Sequence, residues 1–486
     1  MKVNSIGVLA VGFVAIAACE SSPISTVGPT AGTLYHGFSR IDLDNEEVVE
    51  DAWLVVTGEK ISAMGVGNAP SGDFAETRDM SGLFAMPGLI DGHAHITAGP
   101  HKIEFKDGAP AITIESRDEI TQFHGKIALA FGVTTVRNPG GDTDANARYD
   151  MKIANQIWDG PEALHAGSVI QPPPFVGSAF SYPETDEEWQ LEAKRQADLG
   201  MTYFKLYLSL TEDELLSGIK AAHDHGLKAT AHLDKVSWTR AVELGIDGLE
   251  HALPTSPDLL EPAQRDEYIA KLGPDSKYTY RWFEHADYDG PLFQEMVSLL
   301  SKNNIETNLT LVVNELTYNV DKLDEVWPIE ERQFVYPENL NASLQFLAVG
   351  VTGWTEKDYE DARAAMPKVL EFAKRLHEAG VPMMLGTDGF GGGPFYAREL
   401  ELHAAAGIST WDILRMATSE SAEILGVSER TGHLARDMEA DIVFLTADPS
   451  KDVANVQNVA FVLSNGREFS YDALIDAALS SLDIAP

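Results

Sequence analysis

Apolar and polar positions change rhythm twice along this chain. From Leu34 to Phe84 the apolar runs are short and broken by turns. Ala52-Trp53-Leu54-Val55-Val56 reads as a strand, Gly58-Glu59-Lys60 as a turn, and Ile61-Ser62-Ala63-Met64 as the next strand. After Met86-Pro87-Gly88, apolar runs alternate with amphipathic helical stretches. The strand candidates are Gly92–Ile96, Val133–Arg137, Ala163–Ile170, Tyr203–Tyr207, Ala229–His232, Gly248–His251, Glu306–Val312 and Met383–Asp388. Ser116-x-x-Glu119, Thr185-x-x-Glu188 and Thr211-x-x-Glu214 have the pattern of capping boxes at helix starts. Strands alternating with helices in this way predict an α/β fold, a (β/α)8 TIM barrel over residues 86–432. From Ala440 the short strands return, with Asn465-Gly466 as a hairpin turn. Residues 34–85 and 433–486 are therefore expected to pack together as a small composite β-sandwich.

Two stretches are too long for simple connectors, from about Pro254 to Pro291 and from about Asn314 to Glu356. They carry Trp282, Phe283, Trp327, Tyr336 and Trp354, and are expected to be lids over the barrel mouth.

Charge narrows the partners. With 36 Lys+Arg against 75 Asp+Glu the net charge is −39. Such a surface repels nucleic acid and anionic lipid heads. The 20 Phe, 14 Tyr and 8 Trp argue against disorder. A single cysteine excludes an intrachain disulfide. The apolar run Ile6 to Ala18 has signal-peptide length, and Ile16-Ala17-Ala18-Cys19 resembles a bacterial lipobox. The expectation is a signal peptide over 1–18, a membrane anchor through a lipid on Cys19 and a flexible tether over 19–33. The mature chain is then an exported, periplasmic or cell-surface lipoprotein, with the outer membrane as the expected site.

Candidate chemistry gathers at strand ends. His93-Ala94-His95 puts two imidazoles at i and i+2, on one side of a strand. Lys205, His232, His251 and Asp388 stand at or near the ends of later strands. The 19 residues from His232 to His251 make one helix–strand unit, which places both at the same barrel end. Charged or imidazole groups at successive strand ends of a barrel read as an active site. Tyr207 and Arg137 also sit near strand ends, to contact substrate or order the site, and Arg137 reads first as the partner of a core carboxylate. His165 is equally placed for a supporting role or for the core, and His223, His225 and His377 read as helix-surface residues.

Met86-Pro87-Gly88-Leu89-Ile90-Asp91-Gly92-His93-Ala94-His95, Gly132-Val133-Thr134-Thr135-Val136-Arg137, Gly386-Thr387-Asp388, Ala417-Thr418 with Ala422, Gly432-His433-Leu434 and Ala440-Asp441-Ile442-Val443 together resemble the amidohydrolase superfamily. The resemblance covers nearly the whole chain after residue 34 and implies the same barrel with a β-rich domain from both ends. Lys205 looks like the carboxylated lysine of the binuclear branch that includes imidazolonepropionase-like and Xaa-Pro dipeptidase-like enzymes. The resemblance then implies two divalent metal ions. One sits on His93, His95 and Asp388, the second on His232 and His251, and Lys205 lies between them after reaction with carbon dioxide. Zinc suits these donors, with manganese or cobalt as alternatives.

The implied function is hydrolysis of an amide bond in a dipeptide, N-acyl amino acid or cyclic amide. A bridging water is the nucleophile, and Asp388 passes its proton to the leaving amine. The same site would serve an ester, lactone or phosphotriester, and a non-catalytic ligand-binding lipoprotein is the reading from another class. Where the dipeptidase branch often has Tyr two residues after the fifth-strand His, this chain has Asp234, which does not favour a substrate carboxylate. Barrel enzymes of this kind often form homo-oligomers, and nothing in the sequence identifies an interface.

Overall fold

The structure is a computed structural model that describes residues 32–106, 109–273 and 275–482. The expected signal peptide, Cys19 and most of the tether lie outside the described residues. Among those described, no helix is long and apolar enough to cross a membrane.

Two parallel sheets form the centre. Leu89–Asp91, Val133–Asn138 and Glu162–His165 make a three-stranded sheet, and Val169–Ile170, Tyr203–Leu206, Lys228–Ala231, Gly248–Glu250, Glu306–Asn308 and Met383–Met384 run through a seven-stranded one that begins with Phe180–Ser181. Parallel bridges Ala166↔Tyr203 and Ala94↔Gly389 link the two sheets at either edge. Gly92 N donates to Leu385 O at 2.7 Å and Asp388 N to His93 O at 2.8 Å across the second of these seams. The arrangement is TIM-barrel-like, with helices packed outside.

Alternation explains which residues face in. In Tyr203-Phe204-Lys205-Leu206, Phe204 and Leu206 join the large apolar core, whereas Tyr203 shares a cluster with Ile90, Ala166 and Met384. Burying side chains such as Phe204 contributes about 1.5–3 kcal/mol each. Thr185 and Thr211 form full capping boxes with Glu188 and Glu214, as their spacing predicts. Ser116 does not, because helix Asp118–Ala130 starts one residue later, on Arg117, and the Ser116 hydroxyl is buried without a partner.

Strands from both chain ends lie in one eight-stranded mixed sheet, ordered Arg467–Ser470, Val459–Ser464, Ile442–Leu445, Phe84–Pro87, Thr33–Asp42, Glu47–Thr57 and Lys60–Val66, with Glu76–Asp79 also on Thr33–Asp42. Asn465 (φ 48°) and Gly466 (φ 71°) turn Val459–Ser464 into Arg467–Ser470, and positive φ at both fits the two-residue hairpin. Helix Tyr471–Leu482 leaves this sheet and shares a buried cluster with helix Asp118–Ala130, through Leu474, Ala478, Ile120 and Phe123.

Several expected strands are shorter than predicted. His93 to His95 follow the end of Leu89–Asp91, and the run after Asn308 turns at Thr310 (φ 44°) into helix Leu311–Tyr318. The hairpin His101–Lys106 with Ala109–Ile114 was not anticipated. The two long stretches also diverge. Pro254 to Pro291 folds into helices Pro262–Lys271 and Tyr278–His285, with Trp282 and Phe283 fully buried against Phe372, so it is core rather than lid. Trp354 packs on Tyr280. From the second stretch, Trp327, Val335 and Leu347 line the central cavity.

Candidate active site

The six side chains singled out in the sequence stand together where the parallel strands end. Ring centroids lie 5.5 Å apart for His93 and His95, 4.7 Å for His93 and His251, and 4.5 Å for His232 and His251. Asp388 Oδ1 is 3.1 Å from His93 Nε2 and 3.2 Å from His95 Nε2. Lys205 Nζ is buried with no hydrogen-bond partner, 3.8 Å from Glu250 Oε1.

His93, His95 and Asp388 offer ligand atoms close enough to share one metal ion. The hydrogen bonds on the far side of each ring test whether a cation fits. His95 Nδ1 lies 3.0 Å from Gly140 O, a carbonyl that only accepts, so Nδ1 carries the proton. His93 Nδ1 lies 2.9 Å from the Glu250 carboxylate and donates likewise. With each Nδ1 donating outward, the Nε2 atoms of both rings face Asp388 Oδ1, and a ring without a second proton presents a lone pair there. Acceptors aimed at one another at hydrogen-bond distance fit a cation among them, with the outer hydrogen bonds fixing each tautomer. Thr310 Oγ1 holds His251 Nδ1 at 2.8 Å in the same way. His232 Nδ1 is buried with no partner.

Electrostatics agree with a site prepared for cations. Burial lowers the His232 pKa to about 3 and pulls His251 well below its ordinary value, so both rings are neutral near neutral pH. Burial pushes the Asp388 carboxyl up, but His251, His93 and His95 outweigh it and hold the group well below its usual range. Burial brings the Lys205 amine down to about 8, which leaves a neutral amine fraction at neutral pH.

Backbone strain accompanies the geometry. His251 (φ 66°) and Asp388 (φ 54°) are non-glycine residues in the left-handed region, which costs of order 1–3 kcal/mol each. At His251 the reason is visible. It follows Glu250, which already faces inward, and the left-handed turn brings the next side chain inward as well.

Two carboxylates were not identified from the sequence. Glu250 accepts from Arg137 Nη1 and Nη2 at 2.7 Å each and from His93. A carboxylate ending the buried strand Gly248–Glu250 is a signal that a buried cation must exist, and Arg137 is that partner. Asp91 accepts from His93 N at 3.1 Å, Thr387 Oγ1 at 2.9 Å and Gly392 N at 3.2 Å, tying the first strand end to the last. Burial raises its pKa to about 6. His165 is buried between Asn138 and Asp150. His101 and His124, given no role in the sequence reading, line the cavity above the cluster.

Glu399, on helix Pro394–Ala405, accepts from Leu311 N at 3.0 Å and Val312 N at 2.8 Å and so caps the helix that follows Thr310. Burial lifts its pKa from 4.5 to about 8. The folded chain therefore keeps a proton that the unfolded chain releases. That contribution to stability is complete below about pH 4.5 and is lost as pH rises through about 8. Glu399→Gln is expected to flatten the profile of Tm against pH between about pH 5 and 8. An unchanged slope in calorimetric scans would show that Glu399 does not titrate there.

The fold and the cluster define a barrel-like protein with a histidine–aspartate site of metal-binding type at its mouth. The family model described as "Amidohydrolase family" matches residues 334–469. The imidazolonepropionase of Alkaliphilus metalliredigens is 23% identical over 299 residues, a match covering 49% of this chain and 65% of that protein. The match thus spans slightly less than two thirds of that relative's length. A Xaa-Pro dipeptidase structure with bound methionine superposes with a TM-score of 0.64 at 20% identity, covering 90% of this chain and 100% of that one. A bottromycin amidohydrolase structure gives a TM-score of 0.68 at 17% identity, covering 93% of this chain and 90% of that one. Over residues 334–469 the chain is therefore similar to the amidohydrolase family, and its fold is shared with amidohydrolase structures.

Proposed function

We propose that this protein is a metal-dependent hydrolase of an amide bond, working at the mouth of a closed (β/α)8 barrel. The observation that carries the reading is the convergence of acceptor atoms from His93, His95 and Asp388, with Lys205, His232 and His251 around them. His93, His95 and Asp388 would hold one divalent ion and His232 and His251 a second. Lys205, carboxylated by carbon dioxide, would lie between the two. When bound, the ions supply Lewis acidity to the scissile carbonyl and acidify the attacking water. Asp388 takes the water's proton and delivers it to the departing amine nitrogen as the C–N bond breaks. Glu250 and Gly140 O fix the imidazole tautomers, and Arg137 holds Glu250 in place. The family model and the names of the imidazolonepropionase and the bottromycin amidohydrolase support the same reaction class.

Elemental analysis tests the reading. Protein from zinc-supplemented culture is expected to carry about two metal ions per chain. Lys205→Ala is expected to lose at least one of them together with hydrolysis. Metal-free protein, or a Lys205→Ala variant with unchanged metal content, would end the proposal.

A further inference from the structure

The cavity above the cluster has a volume of ≈ 300 Å³, at the lower end of the range for small-molecule sites. Its floor is the polar cluster, and its walls are apolar. Phe175 and Phe180 pack at 5.1 Å on one side, and Trp327 and Phe395 at 4.9 Å on another. His124 stacks on Phe390 at 4.6 Å with the planes 10° apart, and His101 stacks on Phe346 at 5.2 Å. The His124 ring is uncharged on geometry alone, because its Nε2 accepts from Tyr336 N at 3.2 Å and a backbone N–H only donates.

The positive charges are equally telling. Among the described residues lining the cavity, Lys205 is the one Lys or Arg, and it sits in the floor. Neighbouring guanidiniums are already engaged. Arg137 is locked to Glu250, and Arg332 lies over the Trp327 ring bound to Asp324 and Trp327 O. The remaining charged wall residue is Glu331, which is acidic. A substrate carboxylate would thus leave water for an apolar wall without a counter-ion, a costly transfer. An aromatic ring would gain both burial and edge or face contacts.

We propose that this site takes a neutral amide bearing an aromatic group and discriminates against amides with a free carboxylate. The choice of an amide rests on the hydrolase reading above; the choice of a neutral aromatic group rests on the walls alone. In the reaction, water adds to the acyl carbon and the C–N bond breaks, giving a carboxylic acid and an amine that keeps the proton.

The test uses the full chain with its metals and a matched pair, N-benzoyl-phenylalanine N-methylamide and N-benzoyl-phenylalanine. Calorimetry reads binding, and benzoate release reads kcat/KM. The neutral member is expected to lead by about tenfold or more in both readouts. Ser343→Arg, which places a cation on the wall, is expected to narrow that ratio by about tenfold. Equal or tighter binding of the acid, or no binding of the neutral amide at millimolar concentration, overturns the inference. If the neutral amide binds more tightly but neither benzoate nor methylamine is released, the wall inference stands and the hydrolase reading fails. If the acid is cleaved as well as the amide, the reverse holds.

Discussion

Asp388→Asn is expected to lower kcat by about 10³, within the range for losing a positioned proton-transfer group. The substitution keeps the shape of the side chain, and Asn tolerates the left-handed backbone that this position requires (φ 54°). What it removes is the anionic oxygen that faces His93 Nε2 and His95 Nε2. Two effects must be separated, loss of the proton acceptor and weaker hold on the ion. Metal content and kcat are therefore measured on the same preparation, with Tm as a control for folding. A variant that retains its metal and stays within about tenfold of the parent would remove Asp388 from proton transfer.

The largest effect on stability is expected at Arg137. Its guanidinium is fully buried, bidentate to Glu250, with Nε donating to Gly92 O at 2.7 Å and the group lying 5.3 Å over the Tyr203 ring. Arg137→Met leaves the Glu250 carboxylate in the interior without its main partner, a loss of about 3–5 kcal/mol. Denaturant titration should show the midpoint falling with the slope unchanged. Replacing both partners, Arg137→Met with Glu250→Leu, is expected to recover much of the loss, because no charge is then stranded. A single variant within about 1 kcal/mol of the parent would mean that Arg137 is not the main partner of the Glu250 charge.

What the sequence made legible was whatever depends on period. The strand–helix rhythm put Lys205 on a barrel strand, and the helix–strand unit between His232 and His251 brought both imidazoles to one end. Two of the three capping boxes formed because the hydroxyl and the carboxylate lie within four residues of each other. What stayed hidden depends on single torsions or on distant partners. Nothing local announces the left-handed turn at His251 that lets Glu250 and His251 both face inward. Glu250 meets Arg137 only through the sheet, and Asp91 meets Thr387 and Gly392 only where the chain returns. Aromatic content misled at Trp282 and Phe283, because a ring that packs on Phe372 and one that lines a mouth look alike in a polar stretch. The hairpin from His101 to Ile114 lies between the first strand end and helix Asp118–Ala130 and was not anticipated.

The Asp91 carboxylate has a consequence for the order of events during synthesis. It is made early, yet its partners Thr387 and Gly392 emerge from the ribosome roughly 300 residues later, which at about 5–20 residues per second is a wait of order half a minute. Until then His93 and His95 have neither Asp388 opposite them nor the seam that orients them. A nascent chain therefore passes through roughly 300 residues of its translation without the aspartate that faces these two imidazoles. A ribosome that stalls before residue 388 leaves a product with the first two imidazoles and no aspartate to complete their set.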